Sequence, residues 1–179
     1  MRNVKVLVVG PFNAGKTTFI RTLTGISMTT DVEVTSAEER KKKRWTTVGM
    51  DFGMVDIGDG YVIRLFGSPG QARFSFMWKV LSVGAHGIIF MLDASDRESI
   101  QTAQEEFRRA TEQFAKLPMV VAANKQDVSN ALKPEDVRFI LGVPSKVRVL
   151  PCVAIDKAQA WLVLGSLLEL IMPQESQIS

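Results

Sequence analysis

Gly10-Pro11-Phe12-Asn13-Ala14-Gly15-Lys16-Thr17 follows the apolar run Val4 to Val9 and precedes Thr18-Phe19-Ile20-Arg21-Thr22-Leu23. This is strand, glycine-rich loop and helix, with the spacing G-x-x-x-x-G-K-[ST] complete, and the context is what makes the pattern specific. Successive backbone N–H groups of such a loop turn inward and form a nest for anions. The following helix adds the partial positive charge of its N-terminus. Asn13, Ala14, Gly15, Lys16, Thr17 and Thr18 are therefore expected to line a phosphate site. Lys16 is expected to reach the β- and γ-phosphates, and the Thr17 hydroxyl to bind Mg²⁺. The stretch predicts binding of a nucleoside triphosphate.

A second motif names the base. Asn124-Lys125-Gln126-Asp127 follows Pro118 to Ala123, a short apolar run that reads as a buried strand. A carboxylate at Asp127 accepts from both N1–H and the N2 amine of guanine. Adenine has no N1 donor and would leave a desolvated carboxylate unpaired, which disfavours ATP. Asn124 and Lys125 are expected to brace the phosphate loop and the base plane.

Around these motifs strands and helices alternate. Strands are predicted at Asn3 to Val9, Val48 to Ile57, Tyr61 to Phe66, Gly87 to Leu92, Met119 to Ala123 and Val147 to Val153. Helices are predicted from Lys16, from about Arg73, over Arg97 to Lys116, over Pro134 to Leu141 and over Lys157 to Met172. Gly58-Asp59-Gly60 joins the second and third strands as a hairpin turn, and the other joins run through helices. The expected class is α/β: a mostly parallel six-stranded sheet with helices on both faces. Ligands of such sheets sit at the carboxyl ends of the strands, where the motifs converge.

Four elements in order carry a family resemblance: GPFNAGKT, Thr47-Val48-Gly49-Met50-Asp51-Phe52, Gly70-Gln71-Ala72-Arg73-Phe74 and NKQD. The chain resembles the Ras-like small GTPases over nearly its whole length. The resemblance implies a three-layer P-loop NTPase fold, a single GTP-binding domain over residues 1–179, and an extended switch I around residues 25–46. It implies that Thr47 binds Mg²⁺ and senses the γ-phosphate, that Gly70 contacts the γ-phosphate and that Gln71 orients the attacking water. Ala154, in Cys152-Val153-Ala154-Ile155, matches the Ala of the S-A-K loop, whose backbone N–H reads guanine O6; the Ser and Lys of that loop are absent. One departure is large. Where the family has D-x-x-G, this chain has Gly67-Ser68-Pro69-Gly70, so the Asp that steadies Mg²⁺ through water is Gly67. Asp93, at a strand end, is a candidate to fill that role. The P-G-Q run is similar to prokaryotic MglA-type GTPases, which implies a roadblock-type dimer as partner.

At 179 residues, 46% hydrophobic and 23% charged, the chain has the size and composition of one globular domain with a good core. A net charge of +3 gives no reason to expect nucleic acid. One Cys and one His exclude a structural zinc site and a disulfide framework. No signal peptide, myristoylation glycine, prenylation cysteine or spanning run is visible, so the expectation is a cytoplasmic protein without a direct membrane anchor.

Two segments remain open. Thirty positions separate Thr17 from Thr47, and the charge run Arg40-Lys41-Lys42-Lys43-Arg44 lies between them. It reads either as a solvated loop or short charged helix, or as a partner-docking or phosphate-facing element. Arg44 stands three positions before Thr47, a spacing similar to the intrinsic arginine of heterotrimeric G-protein α subunits; Arg73 is a second candidate arginine. Phe74-Ser75-Phe76-Met77-Trp78-Lys79-Val80-Leu81 holds more large apolar residues than one buried face needs. The surplus is either core or an effector surface. The expectation is a GTP/GDP switch with slow hydrolysis, with Lys16, Gln71 and Arg44 as catalytic residues, meeting protein effectors and regulators through both switch segments. The alternative is a GTP-loaded scaffold that does not hydrolyse. A P-loop kinase is disfavoured by NKQD and by the absence of an arginine-rich lid.

Overall fold

The computed structural model describes residues 2–25, 31–33, 45–47, 50–71 and 74–172 of the chain. Eight strands are described: β1 (Arg2–Val9), β2 (Asp31–Glu33), β3 (Trp45–Thr47), β4 (Asp51–Gly58), β5 (Tyr61–Gly67), β6 (Gly87–Asp93), β7 (Met119–Asn124) and β8 (Arg148–Pro151). Five α-helices accompany them: α1 (Lys16–Thr24), α2 (Met77–Leu81), α3 (Arg97–Gln113), α4 (Pro134–Leu141) and α5 (Lys157–Ile171). Six strands form one sheet in the order β4-β5-β1-β6-β7-β8. All neighbours pair in parallel except β4 with β5.

Every residue of β6 and β7 is buried, which marks them as central strands covered on both faces. Alternation then sorts their side chains. Val4, Val6 and Val8 of β1, Ile89 and Met91 of β6, and Val120 and Ala122 of β7 pack against Phe19, Ile20 and Leu23 of α1 and Val163, Leu164 and Leu167 of α5. The residues between them, such as Leu7, Val9, Phe90 and Val121, meet Trp78 of α2, Ile100 and Phe107 of α3 and Val137 of α4. The period of two along each strand thus builds two cores, one per face, and the three layers follow.

The helix starts follow local chemistry. Asp96 caps α3 by accepting from the N–H groups of Glu98 and Ser99, and Asp156 caps α5 by accepting from Gln159 N–H. Pro134 opens α4, where a missing N–H costs nothing, and Gly142 closes it at φ 64°. The β4–β5 turn has positive φ at both Asp59 and Gly60, the demand of a two-residue turn matched to the twist of its strands.

Three elements differ from the sequence expectation. The strand expected at Val48 begins at Asp51, and Trp45–Thr47 is a separate strand paired antiparallel with Asp31–Glu33. Three-residue strands are too short to show a period of two, so neither was legible. The helix expected from about Arg73 is regular only over Met77–Leu81 and has no side-chain cap. Within that segment the surplus apolar residues divide: Trp78 is 3% exposed, with its ring centroid 5.8 Å from that of Phe114, whereas Phe76 is 69% exposed. Trp78 is core, and Phe76, Val80 and Val83 are surface. Removing the indole in Trp78→Ala is expected to cost about 3–5 kcal/mol in urea unfolding, a cavity-forming loss. Phe76→Ala is expected to change stability by no more than about 0.5 kcal/mol.

Candidate functional site

The sheet delivers the motifs to one edge. The phosphate loop leaves the carboxyl end of β1, residues 68–71 leave β5, Asn124 ends β7, and Cys152 to Ile155 follow β8. β4 runs the other way, so its first residue, Asp51, arrives at the same edge opposite Gly67.

The phosphate loop is locked by sterics. Gly10 has φ 141°, and a Cβ there would lie 1.9 Å from the carbonyl oxygen of Met91, so only glycine fits. Asn13 sits in the left-handed region at φ 62°, which its short amide tolerates. Lys16 is 6% exposed, and its ammonium donates to the carbonyls of Gly10 and Pro11, each at 2.7 Å. Lys16 therefore folds back over the crest of its own loop. A methyl group on Gly70 would come within 2.9 Å of Lys16 Nζ and of Phe12 Cα, so the Gly70 backbone lies directly against the loop. Phe12, Asn13, Ala14, Gly15, Lys16, Thr17, Thr18, Asp51, Ser68 and Gly70 line a cavity of about 140 Å³.

A second cavity of about 240 Å³ adjoins it, lined by Asn13, Gly15, Thr18, Asn124, Lys125, Asp127, Val153, Ala154 and Ile155. Asn13, Gly15 and Thr18 belong to both, so the two form one groove with a phosphate end and a base end. Asn124 holds the ends together. Its Nδ2 donates to Ala14 O at 2.8 Å, and its Oδ1 accepts from Ala154 N–H at 2.9 Å. Lys125, at φ 66°, donates from Nζ to Asp93 Oδ2 at 2.6 Å. Asp93 Oδ1 accepts from the N–H and hydroxyl of Ser95.

The family whose model matches is the ADP-ribosylation factor family, over residues 1–168. The chain belongs to the ADP-ribosylation factor family. ADP-ribosylation factor-related protein 1 of Rattus norvegicus is 30% identical over 135 residues, 74% of this chain and 64% of that protein. ADP-ribosylation factor-like protein 3 of Saccharomyces cerevisiae is 28% identical over 137 residues, 75% of this chain and 66% of its own length. The match thus spans just under two thirds of the length of the ADP-ribosylation factor-related proteins. Among solved structures, the Arl6 BBS3 small GTPase of Trypanosoma brucei with bound GppNp superposes with a TM-score of 0.75 at 18% identity, covering 95% of this chain and 98% of that one. That likeness establishes the fold. These ADP-ribosylation factor relatives are eukaryotic, and they do not support the expected closeness to prokaryotic MglA-type GTPases. Nor do they support a roadblock-type dimer or the absence of a membrane anchor. No helix among the described residues is long and apolar enough to cross a membrane.

Within this ADP-ribosylation factor family member, the expected site residues are placed as follows. The phosphate-loop residues, Gly70, Asn124, Lys125, Asp127 and Ala154 converge on the groove. Ala154 stands at the base end, but its N–H is bonded to Asn124, which leaves the neighbouring backbone of Val153 and Ile155 as the other walls of that loop. Gln71 is 6% exposed and is not part of the cavity lining. Thr47 ends β3, where its backbone faces Asp31; its side chain, Arg44, Arg73 and the run Arg40 to Arg44 lie outside the described residues. Asp93 does not line the phosphate cavity; its oxygens serve Lys125 and Ser95 at the base end instead.

Two residues were missed. Thr17 Oγ1 donates to Asp51 Oδ2 at 2.6 Å, and Asp51 is 1% exposed. Counting back from the Asp59-Gly60 turn would have put Phe52 beside Gly67; an irregularity between Asp56 and Gly58 shifts the register by one and brings Asp51 there instead. Mg²⁺ takes hard oxygen donors and keeps several from phosphate and water. A half-buried Thr17 hydroxyl and the buried Asp51 carboxyl on one cavity wall fit it, and Ser68 adds a buried hydroxyl without a hydrogen-bond partner.

Glu106 is the other. It sits on α3, 7% exposed, with its carboxyl pushed up to about 7 by burial, against the opposing pull of the Lys16 and Arg109 charges. No periodicity marks it, because its neighbours Ala103, Phe107 and Ala110 make an ordinary apolar stripe. Its proton is held in the folded protein to about pH 7 and lost in the unfolded chain near the ordinary glutamate value of 4.5. The stabilising difference is complete below the unfolded value and disappears as pH rises through the folded one. In the nucleotide-free protein, Glu106→Gln should therefore gain stability relative to the wild type between about pH 5 and pH 8, by about 3 kcal/mol at most. Urea unfolding across that range measures it; a constant difference would show that Glu106 is ionised in both states.

Proposed function

We propose that the chain is a GTP-binding molecular switch that hydrolyses GTP slowly on its own. The observation that carries this reading is the single groove in which the Lys16 end and the Asp127 end share Asn13, Gly15 and Thr18. A nucleotide laid in it presents its phosphates to the loop N–H groups and Lys16, and its base to Asp127. Lys16 exchanges its bonds to Gly10 and Pro11 carbonyls for bonds to the β- and γ-phosphates. The Gly70 N–H contacts the γ-phosphate, which the close packing of Gly70 on Phe12 and Lys16 supports. The backbone after Cys152, through Ala154 and its neighbours, faces guanine O6. Thr17 and Thr47 are the residues to hold Mg²⁺, which when bound neutralises charge building on the phosphates. Gln71 orients the attacking water once it turns from its buried position toward the cavity. That rotation is a physical reason for slow unassisted hydrolysis, and a partner on the exposed Phe76, Val80 and Val83 of the following segment is placed to drive it.

Base selectivity tests the reading directly. Asp127→Asn should weaken GTP binding by about 1.5–3 kcal/mol, the worth of a charge-assisted hydrogen bond, and favour xanthine nucleotide. Equal competition by ATP against the wild type would overturn the guanine assignment.

Single-turnover hydrolysis separates the switch from a non-hydrolysing scaffold, for which no structural observation argues. Arg44 is the candidate arginine in cis, since Phe12 occupies the loop position over which an arginine from a partner would otherwise approach. Arg44→Ala should slow hydrolysis by about tenfold or more, and Lys43→Ala hardly at all. Equal small losses would reduce Arg44 to one charge among several in the basic run.

A further inference from the structure

We propose that this chain has moved the carboxylate of its metal site from β5 to β4: Asp51 supplies it, and Gly67 makes the room. The inference rests on the nucleotide reading above and names a residue of that same site.

Three observations carry it. The first is electrostatic. Asp51 is 1% exposed and lies on the wall of the cavity assigned to the phosphates. A carboxyl buried beside polyphosphate is repelled by it at short range, and water does not screen the repulsion there. A cation between them reverses the sign. The second is chemical. Asp51 Oδ2 accepts from the Thr17 hydroxyl at 2.6 Å, so it already orients the one loop side chain suited to a hard cation. The third is steric. Asp51 and Gly67 are register partners across the antiparallel β4–β5 pair. A Cβ on Gly67 would stand 3.0 Å from Asp51 Cβ, 3.1 Å from Asp51 Oδ2 and 2.9 Å from Ile20 Cδ1. Its space is therefore filled by the Asp51 side chain. A side chain at 67 would push against Asp51 in its present place, so the glycine is the complement of the aspartate and not a lesion in the site. Gly67→Asp alone would therefore not strengthen the metal site, because it would crowd two carboxyls into one space.

The move changes what the metal is attached to. Asp51 opens β4, the edge strand of the six-stranded sheet, and stands four positions beyond Thr47 in the sequence. Displacing the start of β4 would withdraw Asp51 from the metal, whereas a carboxylate on β5 would stay behind, since β5 also pairs with β1.

The test is release of a fluorescent methylanthraniloyl-GDP, measured in excess Mg²⁺ and in EDTA, with melting curves for every variant. The wild type should release nucleotide much faster in EDTA than in Mg²⁺. Asp51→Asn keeps the shape and an oxygen for Thr17. It should shrink that ratio by tenfold or more, through faster release in Mg²⁺, with release in EDTA no faster than wild type because a repelling charge is gone. A role confined to packing would speed release in both conditions. Gly67→Asp alone should lower the melting temperature. Asp51→Gly with Gly67→Asp, which returns the carboxylate to β5 and clears the space it needs, should fold and restore the ratio to within a few-fold of wild type. An unchanged ratio in Asp51→Asn overturns the proposal, as does a double variant that fails to fold or to recover the ratio. A wild type that responds to Mg²⁺ but is indifferent to Asp51 sinks this proposal alone. A wild type that binds no guanine nucleotide sinks the functional reading and this proposal with it.

Discussion

One buried amide keeps the two ends of the groove in register. Asn124 donates to the Ala14 carbonyl of the phosphate loop and accepts from the Ala154 N–H of the loop after β8, so a single planar group spans two connections that the sheet alone would leave independent. The bond to Ala14 is possible only because the phosphate loop comes close. Gly15 allows it: a Cβ there would sit 2.2 Å from Asn124 Nδ2. Since Asn124 is 2% exposed, either bond lost would leave a buried polar group without compensation, which is why the arrangement is held tightly. The distance between the phosphate end and the base end of the groove is thus set by backbone-to-side-chain bonds and not by flexible side chains.

The second constraint is charge. Lys16, Asp51 and Glu106 are each less than a tenth exposed and lie on three different elements: the start of α1, the start of β4 and the middle of α3. Burial penalises each when charged and alone. Lys16 answers by folding onto the carbonyls of Gly10 and Pro11, Asp51 by accepting from Thr17, and Glu106 by keeping its proton up to about pH 7. Such a set is poised for a polyanion, which would draw Lys16 outward and change the field that Glu106 experiences. Cys152, by contrast, is inert: burial first, and the Asp156 charge second, push its thiol up to about 12.

The face that would report nucleotide state to a partner is built from the same economy of burial. Trp78 is drawn into the core against Phe114, while Phe76, Val80 and Val83, one helical turn or so apart, stay in water. Phe76 and Trp78 also border a groove of about 770 Å³ with Lys79, Arg109 and Glu112, so apolar and charged groups are offered together. That mixture suits a surface that binds and releases, because apolar anchors supply affinity and the charged rim sets orientation and rate.

What the sequence determined by itself was everything encoded in contiguous residues. The phosphate loop, NKQD, the six-stranded parallel-rich sheet and the β4–β5 turn were legible because local spacing, burial period and glycine geometry dictate them with little help from the rest of the chain. The ADP-ribosylation factor kinship was not legible in those motifs, which are shared across the wider superfamily; it emerged from likeness over most of the chain. What only the tertiary structure decided was pairing between distant residues. Asp51 beside Gly67, Asp93 bound to Lys125, the Ala154 N–H turned to Asn124 and the division of Trp78 from Phe76 all depend on which surfaces meet. A one-dimensional pattern records which side chains are available, whereas the space left by a missing Cβ and the partner of a buried charge exist only once strands sixteen or more residues apart lie side by side.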